Sequence, residues 1–140
     1  MGIVLSTDTT VTIESILDNN TATKFPDITF IWSHGGGTMP YITSRLGAAK
    51  GPDGKPNATL ATIQRFYYDT AQAFTPYTLD GFTKLIPNSH ILFGSDYLGN
   101  AGSAGNVETG LDRYTGFTPA QRRAIERDNA LELFPRLKGA

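Results

Sequence analysis

The sequence predicts an α/β fold in which parallel strands are joined by crossover helices. Two observations lead there. Residues 28–32, 66–70 and 91–94 are short runs rich in β-branched and aromatic side chains, which suit buried strands. Before, between and after them lie segments whose apolar residues recur at helical spacing. The order is helix, strand, helix, strand, helix, strand, helix, and strands that alternate with helices lie parallel in one sheet. No internal repeat or low-complexity tract interrupts this order, so residues 1–140 are read as one domain.

Each element has a local reason. The hydroxyl and carboxylate groups of Ser6, Thr7, Asp8, Thr9 and Thr10 are candidate N-caps, and Ile13, Ile16 and Leu17 then fall on one helical face. Asn19 and Asn20 weaken that helix before Phe25-Pro26 ends it. The strand at 28–32 runs into Ser33-His34-Gly35-Gly36-Gly37. Thr38 is expected to cap a helix carrying Met39, Tyr41, Ile42 and Leu46, with Pro40 tolerated in its first turn. Residues 50–57 contain two Gly and two Pro and read as a surface loop, followed by a short helix near 58–64. After the strand at 66–70, Pro76 opens a helix with Leu79, Phe82, Leu85 and Ile86 on one face, stopped by Pro87-Asn88. The third strand ends in Ser95-Asp96 and leads into a glycine-rich stretch at 99–105, expected as an open, mobile loop. Thr118, Pro119 and Gln121 spell a capping box for the last helix, expected to reach Phe134.

Composition removes several function classes. Net charge is −1, from 12 basic against 13 acidic residues, and no basic run is interleaved with aromatics, so nucleic acid and anionic membrane are not expected partners. There are no cysteines, so any metal must be held by His and carboxylates. No apolar stretch approaches a membrane span and no leader pattern opens the chain, so a cytoplasmic protein is expected.

The candidate site follows from the topology. In a parallel α/β sheet the carboxyl ends of the strands open on one face, where ligands collect. His34 and Asp96 both stand at such ends. An imidazole and a carboxylate on one face can share a divalent metal or act as an acid–base pair. Each also has a plainer role, His34 as a packing residue and Asp96 as a loop-ordering carboxylate. The three glycines are expected to let backbone and a bound ligand come close to the imidazole. Asp69 is expected as a strand carboxylate held by hydrogen bonds, with a role beside the metal region as the alternative. Tyr67, Tyr68 and Trp32 are read as packing residues and Arg122, Arg123, Glu126 and Arg127 as a solvated helix face.

Residues 25–37, the following Pro40 and Arg45, then Phe93-Gly94-Ser95-Asp96-Tyr97 and Asn129-Ala130-Leu131-Glu132-Leu133-Phe134 together resemble the amidohydrolase-related family. They are most similar to its branch of aminocarboxymuconate-semialdehyde, 6-methylsalicylate and γ-resorcylate decarboxylases. The resemblance implies a (β/α)₈ TIM barrel with one divalent metal, zinc first and manganese second, at the carboxyl ends of its strands. Only the later, C-terminal half of that barrel is matched, with the three strands as the sixth, seventh and eighth. It implies Asp96 as a metal ligand, His34 as the catalytic group that moves protons, and Arg45 as the residue that binds a substrate carboxylate across a dimer interface. The chemistry implied is a metal-dependent decarboxylase or hydrolase acting on a small aromatic or unsaturated carboxylic acid.

The chain departs from that pattern. The family's upstream ligands, a His-x-His or Glu-x-His pair and a further histidine, have no counterpart, and His90 precedes the third strand and so lies at the wrong end. Leu98 stands where a proline often follows Asp-Tyr. A closed barrel needs about 250 residues. The expected partner is therefore an N-terminal barrel half or a second copy, covering two unpaired strand edges. The other reading is a non-catalytic fragment or binding module.

Overall fold

The computed structural model describes residues 2–97 and 103–139, and the substitution of Leu98 for proline lies outside them. Three parallel strands form one sheet in the order β1-β2-β3: β1 is Ile31–Trp32, β2 is Tyr67–Asp69 and β3 is Ile91–Leu92. Ile31 pairs with Tyr67 and Trp32 with Tyr68, and on the other side Tyr68 pairs with Ile91 and Asp69 with Leu92. The strands are shorter than the runs that predict them, since only the central residues pair. Helices α3 (Ala58–Arg65) and α4 (Pro76–Leu85) make the crossovers.

The first helix, α1, begins at Gly2 and runs to Asp18, so the threonines expected as caps lie inside it. Their hydroxyls donate one turn back instead, Thr7 to Ile3 O, Thr9 to Leu5 O and Thr10 to Ser6 O. A short helix α2 (Thr21–Lys24) follows a left-handed Asn20. The expected helix after Thr38 is reduced to a 3₁₀ turn at Met39–Tyr41. Thr38 does not cap it: the Thr38 N–H donates to Thr10 Oγ1 at 2.9 Å, tying the segment to α1. Asn57 caps α3 by accepting from Leu60 N–H at 2.9 Å. The glycine-rich stretch is corrected at its end, because Gly105 lies in a helix, α5 (Ser103–Arg113), while residues 99–102 lie outside the described residues. Val107 and Leu111 of α5 are buried in the core.

The core sits between sheet and helices, built from Ile13, Ile63, Phe66, Tyr68, Leu79, Phe82, Ile91 and Ile125 among others. Tyr68 is fully buried, and its hydroxyl is satisfied by donating to Ile63 O at 2.9 Å. Burial pushes that phenol well above its ordinary pKa. Phe30, Trp32 and Phe66 form an aromatic cluster along β1, with Phe30 and Trp32 stacked at 5.9 Å.

The last helix does more than cover the sheet. It starts as α6 (Pro119–Arg123) under the expected Thr118–Gln121 capping box, passes a π turn at Ala124–Asp128, and ends as α7 (Asn129–Leu133). In the π turn the Asn129 N–H donates to Ala124 O, five residues back, and Ile125 O accepts from Phe93 N–H at 2.9 Å. The Asn129 side chain donates to Asn88 O and Ile91 O, both at 2.7 Å. These bonds occupy the outer edge of β3. The expectation of two unpaired strand edges is thus corrected at β3, where a helix takes the place of a neighbouring strand. At the other edge, Ile28 and Ile31 are 51% and 44% exposed.

Candidate active site

The carboxyl ends of all three strands converge on one cluster. β1 is followed by Ser33 and then by four residues with positive φ, His34 at 55°, Gly35 at 62°, Gly36 at 81° and Gly37 at 69°. The glycines answer to packing rather than to a ligand. A Cβ on Gly36 would lie 2.9 Å from the Tyr68 ring, and one on Gly37 would lie 2.1 Å from Ser6 O of α1. The expected open approach is therefore filled by the protein's own core and first helix.

That tight turn brings His34 to the carboxyl ends of β2 and β3. The His34 N–H donates to Asp69 Oδ1 at 2.8 Å, and the Ala71 N–H donates to the same oxygen at 3.1 Å. Asp69 ends β2 and ties the turn after β1 to it. Burial raises its pKa, while the two backbone donors and the charge of His34 work against that rise. Asp69 is the hydrogen-bonded carboxylate expected at this strand. Gly94 makes room for it, because a Cβ there would meet Asp69 Cβ and Cγ at 2.7 Å.

Asp96 follows β3 at φ 56°, and its Oδ1 lies 3.5 Å from His34 Nε2. Gln72, after β2 at φ 55°, donates from Nε2 to Asp96 Oδ2 at 3.0 Å. The Gln72 bond, then the one with His34, holds the Asp96 carboxyl below its usual pKa, so Asp96 is an anion at neutral pH. His34 and Asp96 side chains keep 22% and 25% of their surface, which leaves the pair reachable from solvent. The topology thus brings together two of the three expected site residues. Arg45 stands apart: it is exposed on the turn after the 3₁₀ segment, with no hydrogen bond or ion pair to the cluster among the described residues.

Gln72 was not legible as a site residue. The signal was its position three residues beyond β2, the same rule that picks out His34 and Asp96. His90 precedes β3, as expected, and stacks on Tyr67 at 4.6 Å, and burial lowers its pKa.

For a divalent metal the cluster offers one imidazole nitrogen and one anionic carboxylate. Catalytic zinc takes three protein ligands. Among the described residues no group of three or more His, Cys, Asp or Glu side chains could hold a metal ion. The donors present fit part of a metal site, and the remaining ligands would have to come from outside the described residues. Among those residues, too, no helix is long and apolar enough to cross a membrane.

Comparison with known proteins agrees with this architecture. The amidohydrolase family model matches residues 2–136. A 6-methylsalicylic acid decarboxylase from Penicillium expansum is 33% identical over 136 residues, 89% of this chain and 40% of the relative. A 2-keto-4-carboxy-3-hexenedioate hydratase from a Sphingobium species is 27% identical over 135 residues, 91% of this chain and 39% of the relative. Among solved structures, a dihydroxybenzoic acid decarboxylase from a Polaromonas species, with bound manganese and 2-nitroresorcinol, superposes with a TM-score of 0.75. It shares 22% identity and matches 93% of this chain and 40% of its own. The chain spans about 40% of the length of the relatives it matches.

Proposed function

The chain belongs to the amidohydrolase family, and we propose that it forms the C-terminal part of a metal-dependent decarboxylase of small aromatic carboxylic acids. One observation carries this reading: His34 and Asp96, on separate strands, meet at 3.5 Å on the face where parallel α/β folds bind ligands. The similarity to a 6-methylsalicylic acid decarboxylase supports the substrate class.

His34 is the proton carrier. In decarboxylation the bond between ring carbon and carboxylate breaks, its electron pair stays on the ring, and carbon dioxide leaves. The ring carbon must then take a proton, and His34 Nε2 is the group placed to deliver it. Asp96 keeps negative charge beside the imidazole. It is also the residue of this chain that would ligate a divalent metal, manganese or zinc. When bound, such a metal supplies positive charge for the substrate's carboxylate or hydroxyl. Arg45, which makes no ion pair among the described residues, would receive a substrate carboxylate in a two-bond fork, from a partner copy of the chain. The β1 edge, with Ile28 and Ile31 exposed, is where the rest of the barrel would join. A cytoplasmic location completes this reading.

A hydratase or hydrolase is the second reading, favoured by the Sphingobium relative; in it the same imidazole would take a proton from water. A non-catalytic module is the third, favoured by the two-donor site. The three separate in a chimaera in which residues 2–136 replace the matching segment of the Penicillium relative, where release of carbon dioxide marks the decarboxylase and consumption of water the hydratase or hydrolase. His34→Ala should retain metal and lose turnover by roughly 10²-fold or more, whereas Asp96→Asn should lose metal. The opposite pattern would reverse the two roles, and an inactive, metal-free chimaera that folds would favour the non-catalytic reading.

A further inference from the structure

Each strand of the sheet delivers one residue of the cluster in the left-handed region: His34 after β1, Gln72 after β2 and Asp96 after β3. Residues with a Cβ rarely hold that conformation unless surrounding contacts fix it. For His34 the contact is its N–H bond to Asp69. For Gln72 it is the side chain, which reaches Asp96 Oδ2 at 3.0 Å although the residue is exposed. A long, exposed side chain otherwise keeps its rotamer freedom, so the bond has to offset that loss.

The carboxylate of Asp96 needs such a partner. Rotation about its last torsion is broad and two-fold, so alone it does not distinguish its oxygens. The contact with His34 is long, 3.5 Å, and the Gln72 bond, at 3.0 Å, is the shorter and dominant one. We infer that Gln72 is a positioning residue that, by holding Oδ2, keeps Oδ1 of Asp96 turned toward His34. Its chemistry suits the task. An amide donates a hydrogen bond without bringing positive charge, so the carboxylate is oriented and still carries its full charge for a cation. A lysine in the same place would orient it and compete with that cation. The orientation stands on the geometry alone; its use for a cation rests on the function proposed above.

The test uses this chain, with labelled Asp carboxyl carbons and His ring nitrogens, followed by NMR at one fixed pH without metal. Gln72→Gly removes the amide and accepts the positive φ without strain. Its thermal midpoint should stay within about 4 °C of the parent, as for other exposed positions. The Asp96 carboxyl and His34 ring signals should nevertheless move or broaden. Gln72→Lys, which keeps a donor, should leave the Asp96 carboxyl signal ordered. Unmoved Asp96 and His34 signals in Gln72→Gly would overturn the inference. A Mn²⁺ titration of the Penicillium chimaera, which supplies the remaining ligands, then addresses the function separately. Affinity there should fall about 10- to 100-fold in both variants. Variants that bind Mn²⁺ as tightly as the unsubstituted chimaera count against the cation reading, while the metal-free signals of this chain still decide the role of Gln72.

Discussion

Removing the Asp69 carboxylate should loosen the whole cluster, and the size of the effect can be worked out. Asp69 Oδ1 accepts two backbone N–H groups, from His34 at 2.8 Å and from Ala71 at 3.1 Å. Bonds to a charged acceptor contribute about 1.5–3 kcal/mol each, and a stranded N–H costs about 1–3 kcal/mol where water cannot reach it. Both donors share one oxygen at a partly open site, which argues for the low end. Asp69→Ala should therefore cost about 2–3 kcal/mol. Unfolding entropy of roughly 2.1 cal/mol/K per residue, for a chain of 140 residues, makes that a fall in Tm of about 7–10 °C. Asp69→Asn keeps an oxygen in the same place and removes a charge that burial disfavours. It should cost under about 1 kcal/mol. Calorimetry of the two variants decides the matter, and an Asp69→Ala variant melting within about 2 °C of the parent would refute the reasoning.

Further outcomes follow from other contacts. Because burial raises the Asp69 pKa, the folded chain holds that proton where the unfolded chain has lost it. Stability from this group is present below the ordinary carboxylate range and declines as pH rises through the raised value. Urea titrations across that window should show Asp69→Asn gaining on the parent as pH rises, and a constant difference would contradict it. Asn129→Ala strands the carbonyls of Asn88 and Ile91 and should cost about 2–4 kcal/mol by urea denaturation, with loss of amide protection at Phe93. Gly36→Ala places a methyl 2.9 Å from the Tyr68 ring at φ 81° and should destabilise by about 2 kcal/mol or more. Arg45→Lys, in an active barrel, should raise KM for acidic substrates through loss of the two-bond fork; unchanged saturation would remove Arg45 from substrate recognition.

Much of the fold was legible because it rests on local chemistry. The Thr118–Gln121 capping box and the proline-opened helix at Pro76 appear where the sequence places them, and the β-branched and aromatic runs become the three strands. What failed depended on contacts between distant segments. Thr10 reads as a cap by type, yet it lies inside α1 and binds the Thr38 backbone, 28 residues away. The glycines after His34 read as space for a ligand, and only the packed structure shows Tyr68 and Ser6 filling that space. The edge of β3 reads as unpaired because nothing in a strand announces that a π turn 32 residues beyond Phe93 will supply the carbonyl of Ile125. His34 and Asp96 were singled out by their strand ends, where each also had a plainer reading, and the family resemblance alone implied their roles. Gln72 stands at the same kind of position and was passed over because glutamine carries no titratable group.

The proposed role of His34 and Asp96 is to form a site that protonates an aromatic carbon as carbon dioxide leaves. It is tested most directly in the Penicillium chimaera, supplied with Mn²⁺ and an ortho-hydroxybenzoic acid in deuterated water. Mass spectrometry should find one carbon dioxide and one ring-bound deuterium per turnover, at the carbon that lost the carboxylate, both reduced roughly 10²-fold or more by His34→Ala. A product that keeps its carboxylate and gains the elements of water, or deuterium incorporation that His34→Ala leaves at the parent rate, would contradict the account.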